Sequence, residues 1–85
     1  MKRYYSEYKS DKFNRLAHDP DTGQLGCYWH YYGAASTIKT AKGYFSKIKK
    51  YAAEHGETVQ EIRIYDTWGD CAANEHVPCV YQEVV

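Results

Sequence analysis

Three cysteines and four histidines are the residues of this chain best suited to metal or nucleophile chemistry. Cys27 and His30 give a C-x2-H pair, and Cys71, His76 and Cys79 give C-x4-H-x2-C, enough ligands together for tetrahedral zinc. The spacing matches no finger or knuckle pattern, and residues three apart on a strand point to opposite faces, which separates Cys27 from His30. A metal site would have to draw on Cys27, Cys71, His76 and Cys79. Buried thiols acting as small hydrophobes are the simpler expectation, so no metal and no other cofactor is expected.

Two further chemistries are testable by spacing. The stretch Gly33-Ala34-Ala35-Ser36-Thr37-Ile38-Lys39-Thr40 follows a strand and opens a helix, as a phosphate-binding loop does. Ile38 stands where the glycine before the lysine is required, so the backbone cannot wrap a phosphate there. A thiol nucleophile would pair Cys27 with His18, or Cys71 with His76, and would need a third group to orient the base. No residue pattern supplies one, and no enzymatic activity is expected.

The elements that position these residues follow from periodicity. Residues 2–8 alternate and are rich in tyrosine, residues 13–18 form a second short run, and Ser10-Asp11-Lys12 reads as the turn between them. Asp19-Pro20-Asp21-Thr22-Gly23 is a stronger turn, because Pro presets φ and Gly accepts a positive one. Its return strand, residues 25–32, places Cys27, Trp29 and Tyr31 on one face and Tyr28, His30 and Tyr32 on the other, as in an interior strand or a binding surface.

From Ser36 to His55 the period lengthens: Ile38, Ala41, Phe45, Ile48 and Ala52 form one helical stripe. Ser36 or Thr37 can cap its start, and Gly56 suits a left-handed cap at its end. Tyr44 and Tyr51 line one flank of the stripe. Residues 59–68 and 77–84 read as a terminal hairpin in which Ile64 faces Val84 and Trp68 faces Val80. The expected architecture is α+β: an antiparallel sheet of about five strands with one helix across one face, in the order βββαββ, as a single domain over residues 1–85.

Composition limits the rest. Eighty-five residues leave no room for a second core, and Leu, Ile, Val and Phe number only 13, so ten tyrosines and two tryptophans must carry much of the packing. No secretory leader and no long apolar run stands in the sequence, and the odd cysteine count fits a reducing cytosol. Eleven bases balance eleven acids, yet residues 1–50 carry a net +6 and residues 51–85 a net −6. A basic helix helps keep a small domain in solution, but faces of single sign also steer complementary partners.

With the helix ending Tyr51-Ala52-Ala53-Glu54-His55-Gly56 and the strand Glu61-Ile62-Arg63-Ile64-Tyr65-Asp66, this short, neutral, charge-divided chain resembles the small accessory proteins of phages and mobile elements, among them anti-CRISPR-type inhibitors. The likeness lies in general architecture and not in a motif. It implies a protein that acts stoichiometrically by binding one large partner.

The expected function is therefore binding of a protein partner through an acidic, tyrosine-bearing hairpin surface formed by Tyr65, Asp66, Asp70, Glu75, Tyr81 and Glu83, whose carboxylates could imitate nucleic-acid phosphates. The alternative is nucleic-acid binding through Lys39, Lys42, Lys47 and Lys50 with the sheet tyrosines. A zinc-stapled structural domain is a third reading. No membrane partner is expected.

Overall fold

The computed structural model describes residues 2–67 and 79–85. Its elements are β1 (Tyr4–His18), β2 (Leu25–Ala35), α1 (Ile38–Glu54), β3 (Val59–Asp66) and β4 (Cys79–Val84). The strands form one antiparallel sheet in the order β2-β1-β3-β4, and α1 packs across one face, an α+β arrangement.

Among the described residues the sheet has four strands rather than five, and the order is ββαββ rather than βββαββ. The difference arises at Ser10-Asp11-Lys12, where the chain bulges instead of reversing. Along β2 the register steps from Lys9↔Trp29 to Asn14↔Cys27, so residues 10–13 stand against Tyr28 alone. The turn-forming side chains stabilise this bulge: Ser10 Oγ accepts from the Lys12 amide at 3.2 Å, and Asp11 Oδ1 accepts from the Thr58 amide at 2.9 Å. The reversal comes at 19–23, as expected. Asp19 Oδ1 accepts from the amides of Asp21 and Thr22, and Gly23 adopts φ +76°.

The helix follows its stripe closely. Ala41, Phe45, Ile48 and Ala52 are buried, and Ile38 is half-buried at the open end. Thr37, rather than Ser36, is the cap, its hydroxyl accepting from the Thr40 amide. At the other end Gly56 takes φ +73°, with Gly56 N–H donating to Ala53 and Glu57 N–H to Ala52, a Schellman arrangement. That cap turns the chain so that Glu57 enters the protein directly after the helix ends.

Tyr8, Ile62, Ile64 and Ala35 meet the helix stripe to form the main core. The β4 register departs from expectation: Ile64 pairs with Tyr81 and Ile62 with Glu83, while Val84 pairs with Glu61 and is exposed. The Tyr81 ring lies 5.6 Å from Phe45, and Lys42 Nζ sits 4.1 Å above it. A tyrosine ring covers more of the helix–sheet seam than a valine could, which favours this register. The Trp68–Val80 pairing lies outside the described residues. β2 is an edge strand, so its two aromatic faces do not come from an interior position.

On the face away from α1 a second cluster forms. Trp29, Tyr65 and Cys27 are buried there, Tyr5 stacks on Tyr65 at 5.2 Å, and the Arg63 guanidinium covers the Trp29 ring. Arg63 also reaches Asp21 at 2.8 Å, fastening the tip of the β1–β2 hairpin to β3. Among the described residues, no helix is long and apolar enough to cross a membrane.

Candidate functional site

The groove between α1 and β2 gathers several partly open aromatic rings. Helical spacing leaves Tyr44 and Tyr51 on the β2 flank of α1, and strand alternation turns Tyr32 and His30 toward them. The rings follow one another: Tyr44 lies 5.6 Å from Tyr32, Tyr32 meets Tyr51 edge-on at 6.2 Å, and Tyr51 stacks on His55 at 4.1 Å. Lys47 Nζ sits 5.6 Å from the Tyr44 ring centre, at the opposite end of the run from His55. Tyr44 is held by its hydroxyl, which donates to the Ala34 carbonyl at 3.1 Å.

Where this groove meets β1 it opens into a cleft of about 460 Å³ lined in part by Tyr8, Lys12, His30, Tyr51 and Glu57. Its floor is a hydrogen-bonded carboxylate. Glu57 Oε1 accepts from Ser10 Oγ at 2.8 Å and from the Tyr8 hydroxyl at 3.5 Å, and His30 Nε2 lies 3.8 Å away. His30 Nε2 is also 2.9 Å from the Lys12 carbonyl, and its ring stacks on Tyr8. Burial, reinforced by the Glu57 carboxylate, pushes the Tyr8 hydroxyl up to about 12, so it remains a donor at neutral pH. With these donors engaged inside the protein, the floor supplies shape and rigidity beneath the aromatic wall.

Sequence reasoning missed Ser10, Tyr8 and Glu57. A signal was present, since Ser6, Tyr8 and Ser10 alternate on the core side of β1, and a serine facing inward needs a polar partner. Glu57, three residues past the helix, was the candidate closest to hand.

The expected basic face divides in two. Lys39, Lys47 and Lys50 are exposed and make no ion pair among the described residues. Lys42 covers Tyr81, and Lys49 lies 3.2 Å from Glu83.

The expected acidic face is distributed differently. Tyr65 is buried, stacked on Tyr5, and its hydroxyl accepts from Arg63 Nη1 at 3.1 Å. Asp66 is also buried and accepts two bonds from Arg3, at 2.7 and 2.8 Å. Tyr81 and Glu83 lie on the helix side of the sheet, against Phe45, Lys42 and Lys49. Tyr65 therefore does not share a face with Tyr81 and Glu83, and its packing on Tyr5 takes it out of the hairpin surface expected to include it. Asp70 and Glu75 lie outside the described residues.

Of the candidate metal ligands, Cys27 is buried, with its thiol 3.8 Å from the Ala17 carbonyl, and Cys79 is exposed. Cys71 and His76 lie outside the described residues. Among the described residues, no cluster of three or more His, Cys, Asp or Glu side chains is arranged to hold a metal. Comparison with known proteins finds no matching family model, no matching curated protein and no matching solved structure.

Proposed function

We propose that this chain is a stoichiometric binding protein for single-stranded nucleic acid, which lies along the groove between α1 and β2. The observation that carries the reading is the continuous run Tyr44, Tyr32, Tyr51, His55 beside Lys47, with Lys39, Lys47 and Lys50 making no ion pair among the described residues. Open faces of aromatic rings take bases of any sequence, and a row of lysines tracks the backbone phosphates. Lys47 stands at the junction of the two, with Lys39 and Lys50 on the outer surface of the helix. The chain acts in a reducing compartment, where the free thiols Cys27 and Cys79 persist.

A protein partner at the acidic hairpin draws less support from the arrangement. Arg3 pairs with Asp66, Lys49 with Glu83 and Arg63 with Glu61, so three of the described carboxylates of that half already face cations of the same chain.

The test is fluorescence anisotropy with labelled single strands and duplexes of about 12 nucleotides at roughly 50 mM salt. Saturable binding of the single strand, weaker for the duplex and weakened by Tyr51→Ala, is expected. No anisotropy change at about 100 μM protein would reject the reading, since even non-specific binders respond in that range at low salt.

A further inference from the structure

We propose that β4 pairs antiparallel with β4 of a second copy of this chain, across a two-fold axis at Gln82, to make one continuous eight-stranded sheet. The inference is independent of the nucleic-acid reading. It starts from an edge of the sheet: among the described residues, β4 is terminal in the order β2-β1-β3-β4. Edge strands are ordinarily protected by Lys, Pro or strong irregularity. The other edge, β2, has three register shifts against β1, whereas β4 has one against β3, between Ile64 and Tyr65, and Cys79–Val84 contains no Lys, Arg or Pro. Its one charged residue, Glu83, is turned to Lys49. Val80, Tyr81, Val84 and Val85 are all exposed.

The backbone sets which groups are available. The Val85 amide donates to the Gln60 carbonyl of the neighbouring chain segment at 3.0 Å. By the alternation of an antiparallel ladder, the amides and carbonyls of Gln82 and Val84 then point to the free edge. Centring the two-fold at Gln82 sets Gln82 opposite its own copy, Val84 opposite Val80, and Tyr81 opposite Glu83. Lys42, which covers Tyr81, thereby faces the second copy's carboxylate, and the contact repeats symmetrically. Centring on Glu83 instead would set two carboxylates face to face, which disfavours that register. A two-fold perpendicular to the sheet leaves both helices on the same side, so the two lysine-bearing helices face the same solvent.

The experiment is sedimentation equilibrium of the whole chain under reducing conditions, from about 5 to 500 μM. A contact confined to one short strand edge belongs with the small, weak interfaces, below about 1,200 Å². The expected result is a rise from the 9.9 kDa chain mass toward twice that value. Gln82→Pro removes an edge donor without touching the β3 ladder, and Val84→Lys places a cation at the seam; each weakens association at least tenfold. Leu25→Lys on the β2 edge leaves association unchanged. Hydrogen exchange on the unmodified chain gives a second readout that does not depend on variants folding: the Gln82 and Val84 amides slow at least tenfold between the lowest and highest concentrations. A chain that stays at single mass throughout, association that survives both β4 variants, or a dimer that leaves those two amides unprotected overturns the proposal.

Discussion

Ser10 and Glu57, 47 positions apart, are joined by a 2.8 Å hydrogen bond beneath the cleft. Four positions earlier on the same side of β1, Ser6 is equally buried, and its hydroxyl has no hydrogen-bond partner. The two serines therefore respond oppositely to loss of the hydroxyl. Ser10→Ala leaves a buried carboxylate short of a donor and costs about 1–2 kcal/mol. Ser6→Ala removes an unsatisfied group and stabilises by about 0.5–1 kcal/mol. Urea denaturation midpoints of the two variants move in opposite directions; shifts of the same sign would contradict the assigned network.

Glu7 gives the fold a pH dependence of unusual sign. It lies between Tyr31 on β2 and Arg63 on β3, and burial pushes its carboxyl up to about 7, aided by Asp19 and opposed by Arg63. The folded state thus holds this proton more tightly than the unfolded chain. Its contribution to stability is full below the unfolded value near 4.5 and is lost as pH rises through about 7. The loss is on the order of 2–3 kcal/mol. Glu7→Gln keeps the shape without the charge, so between pH 5 and pH 8 the variant gains on the parent chain up to about pH 7 and levels off above it. A difference in stability that stays constant across that range would show that Glu7 does not carry the effect.

The parts of this fold that are legible in sequence are those with a local cause. A 3.6-residue stripe, a Gly after its end and Pro-Asp-Thr-Gly at a reversal locate α1 and the β1–β2 turn, and helical spacing places Tyr44 and Tyr51 on one flank. The extra turn at Ser10-Asp11-Lys12 misled because side-chain bonding of the same kind makes a bulge or a turn, and the choice depends on Thr58, which is 47 residues from Asp11. The β4 register is decided by how Tyr81 fits Phe45, which alternation alone cannot rank against Val84. Charge arithmetic along the chain found the +6 and −6 halves, but not that Arg3 reaches Asp66 across 63 positions and removes it from the surface. The cleft floor was hidden for the same reason, because a bond between Ser10 and Glu57 has no local signature.

Arg63 joins the hairpin tip to β3 through bonds that lysine cannot reproduce. Its guanidinium donates to both carboxylate oxygens of Asp21, to Glu61 and to the Tyr65 hydroxyl, while lying 4.5 Å over the Trp29 ring. These bonds hold Asp21 below its ordinary carboxylate range. Arg63→Lys keeps the charge and loses the fork and the stacking, at a cost of about 1–2 kcal/mol. Arg63→Met also strands Glu61, which is largely buried, and costs about 3 kcal/mol. Asp21→Asn costs less than either, because that carboxylate is mostly exposed and solvent screens it. Chemical denaturation ranks the three; an Asp21→Asn loss as large as that of Arg63→Met would mean that the hairpin clasp, and not the Trp29 and Glu61 contacts, dominates.

The groove divides its work between rings and lysines, and the two make separable contributions to binding a single strand. Each phosphate neutralised on a single strand contributes about −0.7 to the slope of log affinity against log salt. Lys39→Ala, Lys47→Ala and Lys50→Ala therefore each flatten that slope by about 0.7 and weaken binding most at low salt. Tyr51→Ala removes a stacking surface worth about 1–3 kcal/mol, so affinity falls roughly tenfold or more with the slope unchanged. Lys42→Ala and Lys49→Ala have smaller effects, since those ammonium groups already face Tyr81 and Glu83. Salt titrations of each variant resolve the pattern. If Lys42 and Lys49 flatten the slope as much as Lys39 and Lys50 do, the strand runs over the β4 side of the helix, and the aromatic groove is not its path.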